Sequence, residues 1–138
     1  IAPFRAFLYN RFKGNLGRTG QNWLFFGVQT RKDYLYEAEL EAYAVQERDD
    51  FRLVTAFSRE QKTADGQRMY VQHRIAEHAA ELFALLQQPN TYFYICGLKG
   101  MEVGILEALD QHGASVGKPW QPLFEQLKTE KRWHVEVY

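Results

Sequence analysis

Thr91-Tyr92-Phe93-Tyr94-Ile95-Cys96-Gly97-Leu98-Lys99-Gly100-Met101 is the stretch that decides the fold. Its first six residues are mostly aromatic or β-branched, the composition of a strand. Gly97 then leads into a helix predicted over residues 99–111 and closed by Gly113. The same alternation recurs on both sides of this stretch. Trp23-Leu24-Phe25-Phe26-Gly27-Val28 is an uninterrupted apolar run, which suits a parallel strand buried on both faces. Residues 51–57 form another strand, and residues 132–138 alternate as a last one. Helices are predicted at 2–12, with Pro3 in the first turn, at 34–47 behind an Asp33 cap, and at 70–88, with a shorter one at 118–128. Residues 13–22 are a Gly/Asn-rich loop, and the polar loop after residue 57 turns at Asp65-Gly66.

Strands alternating with helices predict an α/β fold with right-handed crossovers and a doubly wound, mostly parallel sheet. Ligands of such sheets sit outside the carboxyl ends of the strands. Here those ends carry Gln29-Thr30, Ser58-Arg59, Gly97-Leu98 and the terminal Tyr138. The 138 residues suit one domain with one core. An apolar share of 46% and a charged share of 25% are those of an ordinary globular chain, and no apolar run is long enough to span a bilayer. Lys+Arg and Asp+Glu both number 17, so net charge makes no case for nucleic acid or an acidic membrane. The single cysteine, Cys96, cannot close an internal disulfide, and the four histidines show no metal-ligand spacing.

Three stretches carry candidate chemistry. Ser58-Arg59-Glu60, followed by Arg68-Met69-Tyr70, could grip a phosphate monoester through two guanidiniums and a hydroxyl while the tyrosine stacks on a base. From spacing alone a solvated loop with surface arginines is the plainer reading. The glycines of Cys96-Gly97-Leu98-Lys99-Gly100-Met101 permit close approach of a ligand to the backbone, or simply serve a tight turn. Trp133-His134-Val135-Glu136-Val137-Tyr138 ends on an aromatic ring with a free carboxylate; by composition it is a packed edge strand.

Taken in order, these stretches together with Ile1-Ala2-Pro3-Phe4-Arg5 and Gly27-Val28-Gln29-Thr30 resemble the C-terminal, NADP(H)-binding domain of plant-type and cyanobacterial ferredoxin–NADP⁺ reductases. The resemblance covers essentially the whole chain. It implies that Ser58, Arg59 and Arg68 bind the 2′-phosphate of the adenosine half, that Tyr70 stacks on the adenine and that Gln72 hydrogen-bonds nearby. It further implies that Pro3, Val28, Gln29, Gly97 and Leu98 line the cofactor path, that Cys96 and Glu136 lie beside the nicotinamide, and that Tyr138 stacks on the flavin. Gln29 stands where the family usually has proline.

The implied activity is hydride transfer between FAD and NADP(H), with ferredoxin or flavodoxin as the single-electron carrier. The setting would be cytoplasmic or thylakoid-associated in a bacterium, or the plastid stroma. The opening Ile1-Ala2-Pro3 has no methionine and reads as the middle of a longer polypeptide. In the family a Gly-Thr-Gly turn, a central strand and an FAD-binding barrel precede this point. Residues 1–138 are accordingly expected to be one NADP(H)-binding domain that lacks its first strand and does not fold stably alone. Two other readings are an NADPH-dependent reductase component of an oxygenase, and a non-catalytic NADP(H)-binding module.

Overall fold

The computed structural model describes residues 1–14 and 20–138. They form two compact units, Ile1–Tyr70 and Val71–Tyr138, each built on its own pair of parallel strands. The expected α/β class and parallel pairing are both present, with the strands grouped as two pairs among the described residues. Part of the predicted loop at 13–22, residues 15–19, lies outside the described residues.

The first unit runs α1 (Ala2–Phe12), β1 (Asn22–Val28), a 3-10 turn (Arg31–Asp33), α2 (Glu37–Gln46) and β2 (Phe51–Phe57). β1 and β2 pair in register from Asn22 opposite Phe51 to Val28 opposite Phe57. Leu8, Leu24, Leu40, Tyr43, Phe51 and Phe57 form the core. The Phe12 ring lies 5.2 Å from Tyr43 and 5.5 Å from Phe51, so aromatic contacts fasten α1 to α2 and β2. β1 is not buried on both faces, as its apolar run suggests. Strand alternation sends Leu24 into the core and Trp23 to the opposite face, where the Arg52 guanidinium lies 4.1 Å from its ring centroid.

Asp33 does not cap a helix from residue 34. Its carboxylate accepts hydrogen bonds from the Thr30 backbone N–H at 2.9 Å and the Thr30 hydroxyl at 2.7 Å, closing a capping box around the 3-10 turn. These bonds hold the carboxylate below its ordinary range. α2 begins only at Glu37, after Tyr36 has taken a left-handed conformation with φ 60°.

The second unit runs α3 (Val71–Glu77), α4 (Ala79–Leu86), β3 (Phe93–Gly97), α5 (Lys99–Ser115), α6 (Trp120–Thr129) and β4 (Trp133–Val137). The helix predicted over 70–88 is thus two helices, parted at His78. There the His78 N–H is shared between the Arg74 and Ile75 carbonyls, at 3.3 and 3.1 Å, and the imidazole Nδ1 lies 2.9 Å from the same Arg74 oxygen. Gly113 does not close α5, which continues to Ser115. A Cβ on Gly113 would stand 2.4 Å from the Lys118 carbonyl oxygen, so this glycine permits a close backbone approach inside the helix; the left-handed residue is Gly117, at φ 70°.

β3 and β4 pair in register from Phe93 opposite Trp133 to Gly97 opposite Val137. One face of the pair carries Phe93 stacked on Trp133 at 4.5 Å, and Trp133 in turn meets Trp120 and Phe124 of α6. Arg132, just before β4, is a side chain whose role sequence patterning did not reveal. Only 2% exposed, it donates from Nη1 to the carbonyls of Leu86, Gln88 and Thr91, at 3.1, 2.7 and 3.1 Å, and from Nε to Glu130 at 2.9 Å. A cation at the end of α4 satisfies carbonyls that the helix leaves open and complements its dipole.

Candidate functional site

In the first unit the strand ends bring four of the expected residues together. Beyond the paired strands, the Ser58 N–H donates to the Val28 carbonyl at 3.0 Å and the Arg59 N–H donates to the Gln29 carbonyl at 2.8 Å. The parallel ladder therefore extends through Val28-Gln29 and Ser58-Arg59, setting both loops side by side at the carboxyl end of the pair. Ser58 is buried, and its hydroxyl has no hydrogen-bond partner among the described residues. Arg59 is exposed.

Residues 58–70 then fold back on themselves. The Thr63 N–H donates to the Gln67 carbonyl at 2.8 Å, the Met69 N–H donates to the Gln61 carbonyl at 3.1 Å, and Gly66 turns the chain at φ 86°. Lys62 and Arg68 become antiparallel bridge partners. Side chains directly opposite across such a bridge share one side, and like charges there repel. In the same loop Glu60 accepts from the Arg31 N–H at 3.2 Å, and Asp65 accepts from the Thr63 hydroxyl. Sequence alone does not single out Lys62: the Asp65-Gly66 turn marks a reversal, and it is the observed pairing, centred on Asp65, that sets Lys62 opposite Arg68. Tyr70, at the end of this loop, is exposed.

In the second unit the parallel register places Cys96 of β3 opposite Glu136 of β4. Cys96 is half-buried and Glu136 exposed. The Tyr138 N–H donates to the Gly97 carbonyl at 3.0 Å, which ties the last residue to the turn after β3 while the residue remains 77% exposed. Leu98, 68% exposed, is the N-cap residue of α5. Gln72 lies on α3, half-buried, and its amide has no hydrogen-bond partner among the described residues. Pro3 occupies the first turn of α1 and is exposed.

A hydroxyl and three cations gathered in one loop system fit a phosphate monoester, which takes charge-assisted bonds from guanidinium and ammonium groups. Among the described residues no group of three or more His, Cys, Asp or Glu side chains is placed to hold a metal. Nor, among the described residues, is any helix long and apolar enough to cross a membrane.

Parallel strands joined by helices, with glycines, a buried serine and basic side chains at their carboxyl ends, define an α/β protein of the nucleotide-binding kind. The sequence model of the family described as "Oxidoreductase NAD-binding domain" matches residues 1–106, and the chain belongs to that family. Over its full length the chain is 54% identical to the ferredoxin–NADP reductase of Thermosynechococcus vestitus and 49% identical to that of Synechocystis sp., covering 37% and 34% of those proteins. It is 45% identical to the chloroplastic ferredoxin–NADP reductase of Spinacia oleracea, of which it covers 38%. The chain thus spans little more than a third of these relatives. Among solved structures, a ferredoxin–NADP⁺ reductase from Plasmodium falciparum superposes with a TM-score of 0.73 at 28% identity, covering all of this chain and 48% of the other.

Proposed function

We propose that the chain is the NADP(H)-binding domain of a flavoenzyme that passes hydride between FAD and NADP(H) and exchanges single electrons with ferredoxin. The observation that carries this reading is the loop at residues 58–70, where Ser58, Arg59, Lys62 and Arg68 offer a hydroxyl and three cations to one dianion. The same Plasmodium falciparum reductase with 2′P-AMP superposes on this chain with a TM-score of 0.71 at 28% identity, which supports a 2′-phosphate as that dianion. The relatives' names and the full-length identity support the reductase over an oxygenase component or a non-catalytic module.

In this reading Ser58, Arg59 and Arg68 bind the 2′-phosphate, Tyr70 stacks on the adenine and Gln72 meets its polar edge. Pro3, Val28, Gln29, Gly97 and Leu98 line the path of the dinucleotide. FAD, held in the remainder of the protein, supplies the hydride chemistry. Cys96 and Glu136 position the nicotinamide, and the Tyr138 ring occupies the flavin face until the nicotinamide takes its place. Flavodoxin, another one-electron carrier, serves as an alternative partner to ferredoxin. Cyanobacterial, cyanelle and chloroplast relatives support a setting beside the thylakoid or in a plastid stroma.

The test is discrimination between nucleotides by the complete protein. Arg59→Ala and Arg68→Ala should each weaken NADPH binding roughly 10- to 100-fold, the value of one charge-assisted contact, and leave NADH nearly unchanged. Equal losses for both nucleotides would overturn the 2′-phosphate assignment.

A further inference from the structure

Gly104 sits within α5, where glycine is a poor helix former and needs a reason. Its surroundings supply one. α3 lies against α5, and the side chain of Gln72 rests over the bare backbone of Gly104. A Cβ at residue 104 would stand 2.9 Å from Gln72 Cγ, 3.0 Å from Cδ and 3.2 Å from Cβ. Carbon atoms in good contact lie about 3.5–4.0 Å apart, so any side chain at 104 displaces Gln72 from this rotamer. The atoms that must move are the flexible part of a glutamine, and the fold can survive their movement. What the movement changes is where the amide points. That amide has no hydrogen-bond partner among the described residues, so packing on Gly104 is what holds its direction.

We infer that Gly104 is a positioning residue for the nucleotide: it acts through Gln72, seating the amide where the adenine base is to be recognised. The inference rests on the reading that Gln72 meets the adenine, and it adds a determinant on a different helix that touches no ligand. Its effect is confined to ligands that carry the base. A nucleotide without adenine, such as reduced nicotinamide mononucleotide, has nothing for Gln72 to recognise.

The experiment is a double-mutant cycle in the complete enzyme, read by titration with 2′-phospho-AMP. Gly104→Ala and Gln72→Ala should each weaken binding roughly 2- to 10-fold, the loss of about one hydrogen bond. The double variant should bind no more weakly than Gln72→Ala, because with the amide gone the seat has nothing left to orient. Turnover of Gly104→Ala with reduced nicotinamide mononucleotide should equal that of the wild type. Wild-type affinity in Gly104→Ala beside a weakened Gln72→Ala overturns the inference and leaves the adenine reading standing. Wild-type affinity in Gln72→Ala overturns both. Additive losses in the double variant, or a crystal structure of Gly104→Ala with Gln72 in its original rotamer, also overturn the seat.

Discussion

Cys96 and Glu136 are register partners on the parallel strands β3 and β4, so each fixes the place of the other through the backbone ladder. Neighbouring strands lie about 4.8 Å apart, which puts a thiol and a carboxylate within reach of one ring-sized ligand. The pair lies one residue before the turn to which Tyr138 is tied.

In the complete enzyme Cys96→Ala and Glu136→Gln should therefore slow hydride transfer more than they weaken NADPH binding. A displacement of about 1 Å at the reacting atoms can cost on the order of 100-fold in rate, so a loss of roughly 10- to 100-fold is expected. Single-turnover reduction of the flavin by NADPH measures the rate, and titration of the oxidised enzyme measures binding. A change in affinity alone would remove both residues from the neighbourhood of the nicotinamide.

Tyr138 is held by its backbone and not by its ring. A ring that covers the flavin face competes with nicotinamide, and the apparent affinity falls by the fraction of time the face is open. A face covered nine-tenths of the time would cost about tenfold. Tyr138→Ser should accordingly tighten NADP⁺ binding by roughly that factor and slow its release, as seen by titration and by stopped-flow dissociation. Weaker or unchanged binding would count against a covering role.

Arg132 makes the opposite kind of contribution, wholly structural. Its Nη1 serves three carbonyls between the end of α4 and the entry to β3, and its own carbonyl accepts from the Phe93 N–H at 2.8 Å. Arg132→Met would leave those carbonyls buried without a donor and should destabilise the protein by roughly 2–4 kcal/mol. Arg132→Lys keeps a charge but loses the fork of donors, and should recover only part of that loss. Denaturant midpoints of the three proteins decide it.

The strands at 51–57 and 91–96 are readable because parallel strands are rich in β-branched and aromatic residues whatever their partners. What each strand pairs with was not readable in the same way, since pairing depends on residues far away in the chain. Asp33 illustrates the local failure: an acidic residue before an apolar periodicity signals a cap, but Thr30 three residues earlier takes its carboxylate first. Gly113 has the pattern of a helix stop, but its use is a close approach to Lys118, a contact that no periodicity reveals. Arg132 was invisible because a buried guanidinium and a solvated one look alike in sequence. The loop at 58–70 was legible as a list of residues, but only the fold-back at Gly66 shows Lys62 standing beside Arg68.

Tyr34 links the core of the first unit to pH. Its ring packs 5.5 Å from Phe26 and 5.8 Å from Phe57. Burial, with the nearby carboxylates of Glu41 and Glu37, pushes the phenol from its ordinary 10.0 up to about 12. Above about pH 10 the unfolded chain gives up this proton while the folded chain keeps it, so the folded state binds more protons and stability falls as pH rises. The contribution is fully present below the unfolded value of 10.0 and is lost as pH rises through about 12. Tyr34→Phe keeps the ring contacts and removes the titrating group. Denaturant midpoints followed from about pH 9 to about pH 11.5 should therefore fall more steeply for the wild type than for Tyr34→Phe, by at most one proton per molecule. Parallel curves would show that the Tyr34 phenol titrates alike in the folded and unfolded chain.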